Sequence, residues 1–424
     1  MNLADWTQKC ARNKKCKDLN KMDPKQLVPG SVLGGALLIA GCCIGAGMLA
    51  LPVLTGLAGF FPSLLALGAV WAFMTFTGLL FVEINGWFYG QVNLLSMAKE
   101  AFGEPGRVVG WLTYLLLFYS LLMAYLSASG AIFSAVLFEL FDISIHPSIA
   151  SIFFAFFFGF IIYLGTRPVD LCNRLLMAGL IIAYLGMIGL GIFRIHPSHL
   201  FHADMRYVLI SLPVLVTSFG FQNMIPSVTA YMKGDLQRVR QTILYGSLLT
   251  LAVYVIWSIF VLGIVPVKGP NGLFETYQRG EEASMALSAA LGSSRVTFFA
   301  QAFAFFAIVT SFLTIALGLT HFLADGLRKI PNRGNHWIFT LLTVLPPLFF
   351  SLTYPTLFYK ALGFAGGICA MIIFGILPIT MAWIGRYKKN ITSSYHVAGG
   401  KPALSIGMGF CLLVIICELV RIFR

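Results

Sequence analysis

Long apolar segments recur along this chain from Val32 almost to its last residue, and they restrict what it can fold into. Each is long enough to cross the roughly 30 Å of hydrocarbon in a bilayer as a helix. Hydrophobic residues make up 58% of the chain and charged residues only 11%, whereas a soluble domain carries about 25% charged residues. Membrane strands would be shorter and would alternate in polarity. The sequence therefore predicts an all-α integral membrane protein, embedded in a lipid bilayer.

The apolar segments predict eleven transmembrane spans. In chain order they cover residues 31–58, 62–89, 107–140, 147–165, 171–193, 207–232, 239–265, 296–327, 337–354, 356–384 and 403–422. Basic residues stand mostly at the ends of these spans, where they set orientation, so the net charge of +13 does not indicate a nucleic-acid partner. The inner loops carry more Lys and Arg when the N-terminus is placed in the cytoplasm, which predicts a C-terminus on the opposite side.

Two spans contain residues that interrupt a helix. The first span holds GCCIGAGMLALP, Gly41 to Pro52, and the sixth holds TSFGFQNMIPSVTAYM, Thr217 to Met232, each with glycine followed by proline. Because the first and sixth spans are five positions apart, an odd number, the two segments run in opposite directions, as an inverted repeat requires. Paired interruptions in matching elements of two halves are typical of the binding site of a secondary transporter. The alternative is that these glycines only allow close helix packing.

Unwound backbone at mid-membrane has a chemical use. It frees N–H and C=O groups, each of which costs several kcal/mol in hydrocarbon unless a cavity, water or ligand satisfies it. A half-helix N-terminus offers N–H groups and partial positive charge to a carboxylate, while freed carbonyls suit an ammonium group or a cation. Gly45, Gly47 and Gly220 permit this geometry and the close approach of a ligand.

These two segments together resemble the hydroxy and aromatic amino acid permeases, the tryptophan/tyrosine permease group of the amino acid–polyamine–organocation superfamily. Two further stretches, TGLLFVEIN (Thr77 to Asn85) and SFLTIALGLTHFLADGL (Ser311 to Leu327), resemble the second and eighth helices of that family. The chain looks most like the bacterial tyrosine permeases. It departs from them at Cys42 and Cys43, where bacterial relatives more often carry hydroxylated residues.

The resemblance implies eleven helices, ten of which form two inverted five-helix repeats, helices 1–5 and 6–10, with helices 1 and 6 broken and an extra helix at the C-terminus. The chain then divides into a cytoplasmic tail (1–30), a first repeat (31–195), a second repeat (206–385), and an inner loop with the eleventh helix (386–424). A bacterial inner membrane, with the N-terminus cytoplasmic and the C-terminus periplasmic, is the location that follows.

The repeat pattern and the resemblance predict the same substrate-binding residues, most of which lie at the two interruptions. They are Gly45, Ala46, Gly47 and Met48, then Ser218, Phe219, Gly220 and Phe221, and Tyr125 of the third span. The backbones would hold the charged ends of an amino acid. Phe219 and Phe221 would stack on an aromatic side chain, although a phenylalanine in such a chain often serves packing or faces lipid. The Tyr125 hydroxyl suits a carboxylate or an interhelical hydrogen bond.

Transport against a gradient needs an energy source, and the sequence has no G-x-x-x-x-G-K-[ST] motif for ATP. Glu83 is an acid well inside a span, and an intramembrane carboxylate is by default a functional candidate for proton binding. Its alternative role is a structural carboxyl near the inner surface. Thr310, Ser311 and Thr314 offer a second possibility, a sodium site completed by carbonyls of the first helix. The resemblance to bacterial aromatic permeases favours the proton.

The sequence therefore predicts a transporter that imports aromatic amino acids, tyrosine before tryptophan, by proton symport and alternating access. The alternatives are a sodium-coupled neutral amino acid transporter and a nutrient sensor on the same fold. An enzyme is not expected, because H-E-x-x-H and G-x-S-x-G motifs are both absent from the sequence. Neither a cofactor nor a metal site is predicted, since none of the cysteines forms a C-x-x-C pair.

Overall fold

The computed structural model describes residues 30–87, 94–292, 294–326, 336–354, 356–391 and 395–423. Every regular element in these ranges is a helix, which confirms the all-helical prediction. The predicted cytoplasmic tail, with Cys10 and Cys16, lies outside the described residues up to residue 29.

The α-helices of the described residues are numbered here in chain order. They are α1 Val32–Cys43, α2 Ala46–Ala58, α3 Phe60–Asn85, α4 Leu94–Phe141, α5 Pro147–Tyr163, α6 Thr166–Gly191, α7 Val208–Ser218, α8 Ile225–Tyr231, α9 Leu236–Ile264, α10 Leu273–Arg279, α11 Ala283–Leu291, α12 Ser294–Gly326, α13 His336–Thr353, α14 Leu357–Phe364, α15 Leu377–Tyr387 and α16 Gly400–Ile422. A π-helical segment, Ala365–Ile376, joins α14 to α15 without a break.

Nine helical segments of the described chain are long and apolar enough to cross a membrane, and the bent pair α1 and α2 can serve as a tenth span. The helix axis bends by 61° between α1 and α2. The helix α5 is apolar but has only 17 residues, so it is about 25 Å long. The multi-pass membrane prediction is thus confirmed, while the count of eleven spans depends on α5 and stays a prediction.

Both predicted interruptions are present. The first span leaves helical geometry at Ile44 and Gly45, between α1 and α2. In the sixth span α7 ends at Ser218, a single 3₁₀ turn follows, and α8 starts again at Ile225 with Pro226 in its first turn. Proline fits there because the first turn of a helix has no use for its missing N–H.

The interrupted helices lie inside the bundle. The helix α9 packs on α1 and α3, while α12 packs on α4 and α6. The π-helical segment packs on α7 and on α16. These contacts enclose both interruptions among other helices, which is where non-helical backbone is tolerated at membrane depth.

The loop between α9 and α12 contains two short helices, of which α11 is the second. This helix, α11, packs against α12 and α2 and buries Ala286 and Leu287. Its N-cap is Glu282, whose carboxylate accepts a hydrogen bond from Ser284 N at 2.6 Å. Burial raises the pKa of Glu282 to about 7. The helix is therefore part of the folded bundle rather than a solvated loop.

Gly366 of the π-helical segment lies directly against α7. A Cβ atom added at this glycine would lie 1.8 Å from the carbonyl oxygen of Pro213 and 2.2 Å from Oγ1 of Thr217, both on α7. We expect Gly366→Ala to lower the unfolding free energy by about 1–3 kcal/mol, because a backbone atom must move to make room. Thermal unfolding of the purified protein in detergent measures this.

The matched control is Gly68→Ala. Gly68 also lies in a membrane helix, α3, but a Cβ added there meets no other atom within 4 Å. Alanine at this position should leave the melting temperature unchanged or raise it, since glycine inside a helix is unfavourable. Equal melting temperatures for the two variants would show that α7 and the π-helical segment can separate without cost.

Candidate functional site

The two interruptions face one cavity of about 80 Å³. Its walls come from the α1–α2 interruption, from α4, from α12, from the α7–α8 interruption and from the π-helical segment. The lining residues are Cys42, Cys43, Gly45, Ala46, Gly47, Tyr114, Leu117, Phe118, Leu121, Tyr125, Thr217, Gly220, Asn223, Ser311, Ile315, Ala370 and Phe374. One side of the cavity is thus backbone and small polar groups, and the other is aromatic and aliphatic.

The first interruption presents the N-terminus of α2 to this cavity. The N–H of Ala46 donates to Oγ of Ser311 at 2.9 Å, and the N–H of Met48 donates to Gly45 O at 3.0 Å. Gly47 lies between these two residues and lines the cavity. N–H groups of a first helical turn lack partners within their own helix and carry partial positive charge, so this end of the cavity suits an anionic group.

The cavity brings together the predicted residues Gly45, Ala46, Gly47, Gly220 and Tyr125. Ser311 joins them, although it was predicted for an ion site. These residues come from four separate elements, the two interruptions, α4 and α12. A larger residue at Gly45 would have to displace the Ser311 side chain, because a Cβ there would lie 2.4 Å from Oγ of Ser311.

Met48 and Ser218 do not line the cavity, although both lie beside it. The Met48 side chain is fully buried, and its carbonyl accepts a hydrogen bond from Nε1 of Trp257 at 2.9 Å. The Ser218 hydroxyl lies 2.9 Å from Val214 O in its own helix and 3.3 Å from Gly47 O across the cavity edge. Their positions make them part of the frame around the cavity.

The expectation that Phe219 and Phe221 form an aromatic slot is corrected by their placement. Both side chains are fully buried outside the cavity lining. The Phe219 ring packs edge-on against Tyr254, with centroids 5.1 Å apart. The Phe221 ring fills the space beside Gly78 of α3. Helical spacing could not predict these directions, because neither residue lies in a helix.

The aromatic wall instead comes from α4 and the π-helical segment. It consists of Tyr114, Phe118 and Phe374, and Tyr125 stands farther along α4. The rings of Tyr114 and Phe374 meet edge-on with centroids 6.3 Å apart. A sequence signal for the α4 part did exist, since residues 114, 118, 121 and 125 follow the 3.6-residue period of one helix face.

Cys42 occupies a position that neither packing nor the resemblance explained. Its side chain is exposed and lines the cavity, while Cys43 is buried. The thiol lies 3.9 Å from Gly220 O and 3.7 Å from Oδ1 of Asn223, both in the second interruption. A weak thiol donor therefore faces two oxygen acceptors of the second interruption.

The three hydroxyl groups predicted for a sodium site lie in different surroundings. Thr310 donates to Phe306 O at 2.8 Å, and Thr314 donates to Thr310 O at 2.8 Å, both within α12. Only Ser311 of the three lines the cavity.

Glu83 lies outside the cavity lining and is held in an ion pair. Arg386 of α15 donates to both of its carboxylate oxygens, with Nε 2.8 Å from Oε1. The N–H of Val397 donates to Oε2 at 2.7 Å, and Val397 O accepts from Arg386 at 3.1 Å. Glu83 and Arg386 are both nearly inaccessible, with side chains 1% and 4% exposed. To take up a proton, Glu83 would have to break this ion pair.

A second buried acid inside a predicted span was missed in the sequence analysis. Glu418 of α16 is fully buried and pairs with Arg421 at 2.6 Å. Arg421 also donates to the carbonyl oxygens of Tyr359 and Lys360. This pair fastens the end of α16 to the start of α14.

Comparison with known proteins gives consistent matches. The Tryptophan/tyrosine permease family matches residues 29–418 of the chain. Tyrosine-specific transport system 2 of Haemophilus influenzae is 32% identical over 391 residues, which cover 90% of this chain and 94% of that protein. The tryptophan-specific transport protein of Shigella flexneri is 30% identical over 386 residues, covering 90% and 92%.

A solved structure with a similar fold is MhsT in complex with L-phenylalanine. The two structures have a TM-score of 0.56, and the match covers 92% of this chain and 97% of that one. Only 14% of the residues are identical, so the similarity concerns the fold.

The Glu83–Arg386 ion pair predicts that removing one partner destabilises the protein more than removing both. Glu83→Gln and Arg386→Met should each lower the unfolding free energy by about 3–5 kcal/mol, because each leaves one buried charge without its partner. The double variant should recover most of that loss. Thermal unfolding of the three purified proteins in detergent gives the comparison. If Glu83→Gln alone proves as stable as the unsubstituted protein, the pair does not hold α3 to α15.

Proposed function

The chain belongs to the tryptophan/tyrosine permease family, and from that premise we propose that it imports aromatic amino acids, tyrosine in preference to tryptophan, by proton symport. The observation that carries the proposal is the cavity between two helix interruptions, with a helix N-terminus on one side and aromatic rings on the other. Such a cavity offers polar backbone groups to the charged ends of an aromatic amino acid and aromatic rings to its side chain.

The backbone side fits the ends that all amino acids share. The N-terminus of α2 offers the N–H of Gly47 and partial positive charge to the carboxylate, while the N–H of Ala46 donates to Oγ of Ser311. Gly220 O and Oδ1 of Asn223 are acceptors in the second interruption, suited to the ammonium group. A substrate bound in this way would bridge the two interruptions.

The aromatic side fits the substrate's ring. Stacking on Tyr114, Phe118 or Phe374 would contribute about 0.5–1.5 kcal/mol beyond burial. The hydroxyl group of Tyr114 offers a hydrogen-bond partner to the phenol group of tyrosine. Relatives named for tyrosine-specific and for tryptophan-specific transport support the aromatic class as a whole.

The proposal includes alternating access in an eleven-span architecture. The helix α5 is then a span, ten helices form two inverted repeats, and α16 is the eleventh. The distribution of Lys and Arg supports a cytoplasmic N-terminus and a periplasmic C-terminus in a bacterial inner membrane. Access to the cavity from either side requires that the interrupted spans move relative to the helices around them.

The proton is the proposed coupling ion, and sodium is the second candidate. Ser311 favours the second, because its hydroxyl lines the cavity beside the first interruption. A proton carried by Glu83 requires a state of the cycle in which Arg386 has separated from it. The stabilised double variant of Glu83 and Arg386 would then fold but fail to accumulate substrate against a gradient.

Uptake of labelled tyrosine into proteoliposomes tests the function directly, with proton and sodium gradients imposed separately. We expect saturable uptake driven by an inward proton gradient, and inhibition by excess unlabelled tyrosine or tryptophan. Uptake driven only by a sodium gradient would identify sodium, not the proton, as the coupling ion. Binding of tyrosine without any uptake would indicate a sensor. Absence of both binding and uptake for every aromatic amino acid would refute the substrate class.

The exposed thiol in the cavity gives a second test. We expect N-ethylmaleimide to block uptake by alkylating Cys42, and saturating tyrosine to slow that reaction, because substrate and reagent compete for the same space. Mass spectrometry of the labelled peptide measures the rate. Cys42→Ser is the control, which should retain uptake and resist the reagent. Labelling of Cys42 at an equal rate with and without tyrosine would place the substrate elsewhere.

A further inference from the structure

One tyrosine joins the two interrupted spans. The hydroxyl group of Tyr254, on α9, lies 2.7 Å from Cys43 O and 2.8 Å from Ser218 O. Cys43 is the last residue of α1 and Ser218 is the last residue of α7, so both carbonyls belong to helix ends that face an interruption. Carbonyls at a helix C-terminus have no partner in their own helix. A single hydroxyl proton therefore serves both spans.

The next turn of α9 contributes a second donor to the first span. Nε1 of Trp257 donates to Met48 O at 2.9 Å. In an uninterrupted helix the donor to Met48 O would be the N–H of residue 52, but that residue is Pro52. Trp257 thus supplies the hydrogen bond that the proline removes. Tyr254 and Trp257 are both fully buried, so water does not reach either contact.

Neighbouring rings fix both donors in place. Tyr254 packs against Phe219, and Trp257 packs against Phe303 at 5.3 Å and against Phe260 at 6.2 Å between centroids. The donors stand three residues apart on α9, which puts them on one face of that helix. This face of α9 is a rigid support behind the cavity, and its two donors hydrogen-bond to the backbone of the interrupted spans.

We propose that Tyr254 and Trp257 are positioning residues, which hold the backbone of the two interruptions in its substrate-binding geometry. Each of the three carbonyls, Cys43 O, Met48 O and Ser218 O, thus has a side-chain donor that fixes its direction. With its carbonyls held in this way, the first interruption keeps the start of α2, at Gly47, directed at the cavity. Because one hydroxyl bonds to both spans, the two interruptions keep a fixed relative position.

The inference rests on the proposed function and predicts a distinctive pattern. The backbone at the interruptions would bind the carboxylate and ammonium ends, which tyrosine, tryptophan and phenylalanine share. Loss of the Tyr254 hydroxyl should therefore weaken binding of all three by the same factor. A residue of the cavity's aromatic wall would instead change the ratio between substrates.

The experiment compares Tyr254→Phe and Trp257→Phe with Tyr184→Phe in the purified full-length protein. Tyr184 is the matched control, because its hydroxyl also donates to a backbone carbonyl, Val253 O at 3.3 Å, but at neither interruption. We expect Tyr254→Phe to raise the Kd for each of the three amino acids by about tenfold. Trp257→Phe should raise all three by a smaller common factor, and Tyr184→Phe should change none.

A second readout does not depend on substrate. Loosening of the α1–α2 interruption should expose Cys42 further, so N-ethylmaleimide should alkylate it several-fold faster in Tyr254→Phe than in Tyr184→Phe. If the unsubstituted protein binds no aromatic amino acid, the proposed function fails while these rates still decide the positioning role. If Tyr254→Phe does not fold, the same two readouts on Trp257→Phe decide it.

Two results would overturn the inference. The first is a folded Tyr254→Phe whose Kd values and Cys42 alkylation rate equal those of the unsubstituted protein. The second is a change in affinity confined to one amino acid, which would make Tyr254 a determinant of side-chain specificity.

Discussion

A helix that is interrupted at membrane depth leaves backbone N–H and C=O groups without partners, and hydrocarbon cannot hydrogen-bond to them. In this protein, side chains of neighbouring helices supply the missing hydrogen bonds. The Ser311 hydroxyl accepts from the N–H of Ala46, and Trp257 donates to Met48 O. The Tyr254 hydroxyl lies within hydrogen-bond distance of a carbonyl in each of the two spans, Cys43 O and Ser218 O. These partners come from α9 and α12, helices that are themselves continuous. The interruptions therefore depend on rigid neighbours for their shape.

This division of hydrogen bonds also gives the cavity its polarity. Side chains of α9 occupy three carbonyls at the interruptions, whereas the N-terminus of α2 faces the cavity with Gly47 at its edge. On the other side, α4 and the π-helical segment supply aromatic rings. An amino acid with an aromatic side chain matches both halves, which is why the cavity supports the proposed substrate better than it supports a simple ion.

The buried charges of the described helices lie away from this cavity and join helices to one another. Glu83 pairs with Arg386 between α3 and α15, and Arg421 joins Glu418 to the backbone of α14. A buried pair is costly to break, because the charge left behind has no water. The Glu83 pair can thus act either as a fixed fastening or as a contact that opens once in a transport cycle, and its double variant separates these roles.

The sequence by itself determined the helical membrane class, most of the spans and both interruptions, because hydropathy, glycine and proline act locally along the chain. It also pointed to Gly45, Gly47 and Gly220, which line the cavity, and to the family. Only the tertiary structure decided which side chains meet these segments. Tyr254 lies 211 residues from Cys43 and Arg386 lies 303 from Glu83, and such pairings have no local signal. The predicted slot of Phe219 and Phe221 was wrong for the same reason, since the direction of a side chain on non-helical backbone is set by the helices packed around it.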